Sequence, residues 1–135
     1  MDNRSLLVRR TLFANALVTL LFGAVLLVDR ELVARLLGIA SVVPVVIAGA
    51  ICVAFAPILL LASRKRELGS GEIALLIAVD GAWVIASVVV IAVAPITAIG
   101  CGLIVAQAAL VGVFIALESA GLKRLVPAAR AQSQA

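Results

Sequence analysis

Residues 73–94 read IALLIAVDGAWVIASVVVIAVA, an apolar segment in which Asp80 is the one charged residue. A helix needs about 20 mostly apolar residues to cross a hydrocarbon core ~30 Å thick, and this segment has that length and composition. It therefore predicts a transmembrane helix that carries a single carboxylate near its middle.

The rest of the chain shares this apolar character. Of its 135 residues, 65% are hydrophobic and 13% are charged, and the mean hydropathy is +1.31. Soluble globular domains are roughly 45–50% apolar. Because one soluble domain of this length has no room to bury so much apolar surface, the composition predicts an integral membrane protein.

Four segments are predicted to span the membrane, and charged or turn-forming residues separate them. The predicted spans are about 11–28, 42–62, 73–94 and 98–117. Short connections make successive helices antiparallel neighbours. The predicted fold is all-α: a single domain over 1–135 that forms a transmembrane up-down four-helix bundle, with a polar C-terminal tail at 118–135.

The loop at 29–38, DRELVARLLG, has an apolar stripe at helical spacing (Leu32, Val33, Leu36, Leu37). Glu31 and Arg35 are also four residues apart, which favours a helix. We expect either a short helix lying in the outer interface or a simple connector.

The basic residues predict the orientation. Arg30 and Arg35 lie on one side of the predicted membrane, and nine others lie on the opposite side: Arg4, Arg9, Arg10, Arg64, Lys65, Arg66, Lys123, Arg124 and Arg130. Cytoplasmic loops carry the excess of Lys and Arg, so both termini are expected in the cytoplasm. A cleaved signal peptide at 11–28 is disfavoured, because that apolar run is too long and no A-x-A site follows it.

Polar side chains within the spans fall at similar depths. Counting at 1.5 Å per residue from the cytoplasmic side places Asn15 about 6 Å, Asp80 about 10 Å and Gln107 about 15 Å into the membrane. We expect these three to form one polar cluster, with Trp83, Ser87 and Thr19 beside them. Asn15, Gln107, Ser87 or the Trp83 indole are the candidate partners of Asp80.

Two interpretations of this cluster remain open. In the first, it is an interhelical hydrogen-bond network in a structural or accessory protein, such as a subunit of a larger membrane assembly. In the alternative, Asp80 is the coupling carboxylate of a small proton- or cation-coupled transporter. The expected partners are membrane lipids, with a homo-oligomer or a membrane-protein partner left open.

Small residues at helical spacing predict where helices approach closely. Ala78, Ala82 and Ala86 repeat every four residues on the third span, and we expect them to form a packing face. Whether that face serves the bundle or an oligomer is left open, with packing inside the bundle favoured.

Other classes of function have little support. The chain has no His, which excludes Ser-His-Asp and Cys-His arrangements and imidazole metal sites. Its basic residues form no stripe with aromatic residues, so nucleic-acid binding is not expected. Cys52 and Cys101 form no CxxC motif and are expected to be small buried residues. We expect no enzymatic activity, no cofactor and no metal.

Five short features occur in chain order: Arg10-x4-Asn15, Gly23, LLGI at 36–39, DGAWV at 80–84 and Gln107. Through them the chain resembles a group of small bacterial four-helix integral membrane proteins, many of them uncharacterised, with a D-x-x-W-V motif in the third helix. The resemblance implies a four-helix fold in a bacterial inner membrane and no particular activity. The small multidrug transporters are similar in size and number of spans. Their coupling glutamate lies in the first helix, where this chain has Asn15 and no acid.

Overall fold

The chain folds into α-helices in a computed structural model that describes residues 3–65 and 68–133, with side chains described for 6–65 and 68–123. The helices are α1 (Asn3–Val28), α2 (Arg30–Leu37), α3 (Val43–Arg64), α4 (Ser70–Val93) and α5 (Ala98–Ser133). No strand occurs within the described ranges. Four of the helices are long and apolar enough to cross a membrane, with hydropathies of 2.3 to 2.8. The predicted all-helical class is confirmed, and four helices have the length and composition that a membrane span needs.

Two helices extend far beyond the spans predicted for them. α1 extends toward the N-terminus beyond 11–28, and α5 continues past 98–117 through most of the segment that the sequence marks as a polar tail. The apolar run ends before the helix does, because charged side chains at a helix end can reach water or head groups. The side chains of Arg4, Arg66, Arg124 and Arg130 lie outside the described residues.

The helix ends follow from local sequence. α2 ends at Gly38, whose φ of 79° is left-handed and whose N–H bonds back to the last turn. Pro44 lies in the first turn of α3, where a missing N–H costs little. α3 continues as a helix through Pro57. At the start of α4, Glu72 accepts a hydrogen bond from the Gly69 N–H at 3.3 Å.

α1 packs most extensively on α3, and α5 packs on both α1 and α4. At one end, Val8 and Leu12 of α1 form a core with Leu59 of α3 and Ile73 of α4. We call this the basic end, since Arg9 donates to the Ser63 carbonyl there at 2.9 Å. At the opposite end, which we call the α2 end, residues of α1, α2 and α3 form a second core: Leu26, Ala34 and Val45.

α4 is the most exposed of the long helices. Its buried residues are Ile73, Leu76 and Asp80, so nothing beyond Asp80 is buried up to its end at Val93. Ala78, Ala82 and Ala86 are exposed, and the packing face predicted from their spacing is therefore wrong for this chain on its own. The face that contacts the other helices is the one that carries Asp80. The apolar remainder is surface suited to lipid.

Candidate functional site

Asn15 lies at the centre of a polar cluster between three helices. It is 1% exposed, and its side-chain amide nitrogen donates to Oδ2 of Asp80 on α4 at 2.7 Å and to Oε1 of Glu118 on α5 at 3.3 Å. Its amide oxygen accepts from the Thr19 hydroxyl, one turn further along α1, at 3.2 Å. One amide therefore joins α1 to carboxylates on two neighbouring helices, with both N–H donors used.

Glu118 is the residue of this cluster that the sequence analysis did not include. It is fully buried, at 0% exposed, and its Oε2 atom has no hydrogen-bond partner in the described part of the chain. The sequence marks residue 118 as the start of a polar tail, whereas α5 continues past it and keeps it inside the bundle. A signal was present, because Gln107, Val111 and Glu118 share one face of a helix by their spacing.

The two carboxylates have no basic partner among the described side chains. The salt bridge among the described side chains joins Lys65 to Glu72 at the surface. Arg9 donates to the backbone carbonyl of Ser63. A charged group near the bilayer centre costs at least ~2.5–3.5 kcal/mol. Two ionised carboxylates held against one amide also repel each other. The arrangement is thus suited to keeping a proton on the Asp80–Glu118 pair.

Gln107 and Trp83 form a separate contact instead of joining Asp80. The Trp83 indole N–H donates to Oε1 of Gln107 at 3.0 Å, between α4 and α5. Ser87 donates to the Trp83 carbonyl at 2.9 Å, within its own helix. Of the candidate partners named for Asp80 from the sequence, the structure brings Asn15 to it. The single cluster expected from depth is therefore two adjacent contacts, one around Asn15 and one around Trp83.

A cavity of about 380 Å³ lies beside both contacts, with walls from all four long helices. Asp80, Trp83 and Gln107 line it together with Asn15 and Thr19, and its other walls are apolar or carry the Cys52 thiol. Glu118 does not line it. Because Asn15 bonds to both carboxylates and also lines the cavity, it connects the buried Glu118 to a space large enough for a ligand.

The cavity has an exposed side. Ile51 of α3 and Val79 of α4 line it and are 52% and 40% exposed. α3 and α4 make little contact with each other, since α4 packs mainly on α5. The space between α3 and α4 thus faces the surroundings of the protein, which for helices this apolar is lipid.

Comparisons with protein-family models, with curated proteins and with solved structures find no match for this chain. What the site does is therefore inferred from its own chemistry. Within the described residues, no three His, Cys, Asp or Glu side chains are grouped closely enough to hold a metal ion. The site consists of two buried carboxylates, the Asn15 amide that bridges them, and a cavity with an aromatic residue in its wall.

Proposed function

We propose that the chain is a small multi-pass membrane carrier that exchanges a proton for a cation at the Asp80–Glu118 pair. The observation that carries this proposal is a pair of buried carboxylates bridged by Asn15, of which one, Asp80, lines a cavity. From the sequence alone a structural role has the better support, since a single deep acid needs only one hydrogen-bond partner. The second acid and the cavity reverse that preference.

The proposed exchange follows from charge. With no cation in the cavity, a proton shared by the carboxylates offsets their charge in a medium of low dielectric constant. A cation entering the cavity beside Asp80 offsets the same charge, so the proton becomes free to leave. One positive charge replaces another, and no net charge is added to the membrane interior.

The groups that face Asp80 are consistent with such an exchange. Glu118 on α5 is the titratable neighbour, Asn15 and Thr19 on α1 are neutral donors, and Cys52 is a thiol on the α3 side of the cavity. None of these side chains carries a positive charge, so none competes with an incoming cation for the carboxylates.

For the topology we propose an up-down bundle with both termini in the cytoplasm of a bacterial inner membrane. Support comes from the basic end, where Arg9, Arg10, Arg64 and Lys65 lie near the ends of α1 and α3. The test is membrane-impermeant thiol labelling in intact cells, after Cys52 and Cys101 are replaced by alanine. A cysteine at position 35 should react and one at position 64 should not; the reverse pattern would refute this orientation.

A structural or accessory role is the second candidate, with lipids, another copy of the chain or another membrane protein as partner. It is favoured by one observation: Asn15 ties α1 to both α4 and α5 through buried hydrogen bonds. Contacts of this kind average ~0.6 kcal/mol in membranes yet fix the register of helices. No catalytic activity is proposed under either candidate.

The two candidates are separated by proton exchange in liposomes. Purified protein is reconstituted with an acidic lumen and an internal pH dye, and Na⁺, K⁺ or benzyltrimethylammonium is added outside. We expect the lumen to become more alkaline with the parent and with Glu72→Gln, which removes an exposed acid. Asp80→Asn and Glu118→Gln should abolish the response.

A parent protein that gives no pH response to any of these cations would contradict the carrier. Responses in Asp80→Asn equal to those of the parent would contradict the assigned site. If the parent gives no pH response and, in addition, Asp80→Asn and Glu118→Gln no longer elute as the folded species, the pair is needed for assembly. The structural candidate then holds.

A further inference from the structure

We infer that the cavity binds organic ammonium ions with an apolar or aromatic body, with Asp80 as the counter-ion and Trp83 as the surface on which the cation rests. This inference rests on the proposed function and names the class of cation that the exchange uses. It draws on the cavity volume, the chemistry of the walls and the orientation of one indole.

The size and walls of the cavity fit a small organic molecule. Ligand pockets are roughly 300–1,000 Å³, and the cavity is at the small end of that range at about 380 Å³. Much of its wall is apolar, including the rings of Phe22 and Phe55 and the aliphatic side chains of Leu103 and Leu110. Such walls stabilise a ligand with an apolar body, because they remove that body's surface from water.

Trp83 is held in a fixed orientation at the cavity. Its N–H donates to Oε1 of Gln107 at 3.0 Å, and this bond restricts the motion of the indole. A quaternary ammonium group within about 6 Å of an indole face is attracted by the negative potential of the ring, most strongly where water is excluded. Trp83 and Asp80 lie about one turn apart on α4, so a ligand in this cavity meets the indole and the carboxylate on the same wall.

Inorganic cations fit the same cavity less well. Hard divalent cations need several oxygen ligands, and few oxygens are available here. Oδ2 of Asp80 accepts from Asn15, Oδ1 of Asn15 accepts from Thr19, and Oε1 of Gln107 accepts from Trp83. An ion that keeps its charge inside an apolar shell requires fewer direct ligands, and a substituted ammonium ion is of this kind.

The exposed side of the cavity gives such a ligand a route of entry. Ile51 and Val79 border the space between α3 and α4, and both are apolar and partly exposed. An amphiphilic cation dissolved in the lipid interface can therefore reach Asp80 sideways, without crossing a polar entrance.

Trp83 is the only tryptophan of the chain, so its fluorescence reports on the cavity directly. The protein in lipid-free detergent is titrated with benzyltrimethylammonium and with neopentylbenzene, a neutral molecule of the same shape. We expect saturable quenching by the ammonium ion and an affinity for the neutral molecule about 30-fold weaker or more, as for the loss of one partner of a buried charge pair. Na⁺ at equal concentration should leave the fluorescence unchanged.

Two variants test the assignment of the site. Asp80→Asn should weaken the affinity for the ammonium ion about 30-fold or more, whereas Glu72→Gln should bind it like the parent. Ala106→Leu fills the cavity from α5 without changing a carboxylate and should also abolish binding. Its matched control is Ala109→Leu, on the same helix and exposed but outside the cavity. Together they keep the test valid if Asp80→Asn does not fold.

Equal affinity for the charged and neutral molecules, or binding unchanged by Ala106→Leu, would overturn the inference. Binding also has to weaken as the pH falls, because a proton and the ammonium ion compete for Asp80.

Competition by a short-chain phosphatidylcholine at lower concentration than the probe would identify a lipid head group as the source of the ammonium. If Na⁺ drives proton exchange in liposomes and no ammonium ion binds, the ligand class is wrong and the carrier function stands. If the ammonium ion binds and no cation drives proton exchange, the binding site stands and the carrier function is wrong.

Discussion

The α1–α3 pair and α4 differ in how closely they pack, although all three helices are apolar enough to span a membrane. A third of the apolar stretch is buried in α1 and in α3, at 33% each, against 11% in α4. α1 and α3 approach so closely that a Cβ atom on Gly23 would lie 2.8 Å from that of Cys52. On α4, a Cβ atom added to Gly81 would meet nothing within 4 Å.

This difference shows where the protein is rigid and where it has room to change. The α1–α3 pair is held by interdigitated small and apolar residues, which tolerate little displacement. α4 is held at the basic end by Ile73 and Leu76, and further along by Asp80 through Asn15. The polar contact is therefore the last buried attachment of the most loosely packed helix. A change in the protonation of Asp80 acts on that attachment.

Overpacking the rigid pair should have the largest effect on stability. Gly23→Leu forces a side chain against Cys52 and the Gly49 carbonyl, and we expect a loss of about 3 kcal/mol, at the upper end of the usual cost of overpacking. Gly102→Leu on α5 is the matched control, since a Cβ atom there meets nothing within 4 Å. The measurement is reversible unfolding in mixed micelles. Equal losses in the two variants would show that the contact between α1 and α3 is no tighter than the open face of α5 at Gly102.

Removing the amide bridge should have the next largest effect and should act on α4. Asn15→Leu leaves Asp80 and Glu118 without the described donor that they share, and a buried polar group that loses its partner costs about 1–3 kcal/mol. Hydrogen exchange should then increase in α4 beyond Asp80 and remain unchanged between α1 and α3. Thr19→Val, which removes a donor to Asn15 without touching a carboxylate, is the control. An increase of equal size in α3 would refute the idea of a separately attached α4.

The contact between Trp83 and Gln107 should have the smallest effect on stability. Gln107→Leu removes one hydrogen bond between α4 and α5, and contacts of this kind average ~0.6 kcal/mol in membranes. The free indole N–H should nevertheless change the Trp83 emission maximum, because the ring loses its fixed partner. A loss of stability as large as that of Asn15→Leu would mean that this contact, rather than Asn15, attaches α4.

Much of the fold can be predicted from the sequence because lipid imposes a simple rule on long apolar helices. The length of residues 73–94 and the Gly and Pro residues between helices locate α2, α3 and α4 to within a few residues, whereas α1 begins and α5 ends well outside the predicted spans. Depth makes Asn15 one of four candidate partners of Asp80, and the structure shows which of the four bonds to it. These inferences depend on local periodicity and length, which a single sequence contains.

The rest of the site depends on which faces meet, and a single sequence does not encode that directly. In the sequence, Glu118 resembles an ordinary polar residue at the end of a span. In the structure, α5 continues beyond it and its side chain accepts a hydrogen bond from Asn15. Ala78, Ala82 and Ala86 have the spacing of a packing face, yet α4 presents its Asp80 face to the bundle. The cavity is missed for the same reason, since it exists where α3 and α4 fail to meet.

The central claim is that Asp80 and Glu118 share a proton that a cation can replace. Infrared spectroscopy of the reconstituted protein at neutral pH tests it most directly, because a protonated carboxyl group has a C=O stretch distinct from that of a carboxylate. We predict such a band in the parent and in Glu72→Gln, and a shifted or missing band in both Asp80→Asn and Glu118→Gln. Spectra of these two variants that match the parent in this region would contradict the account.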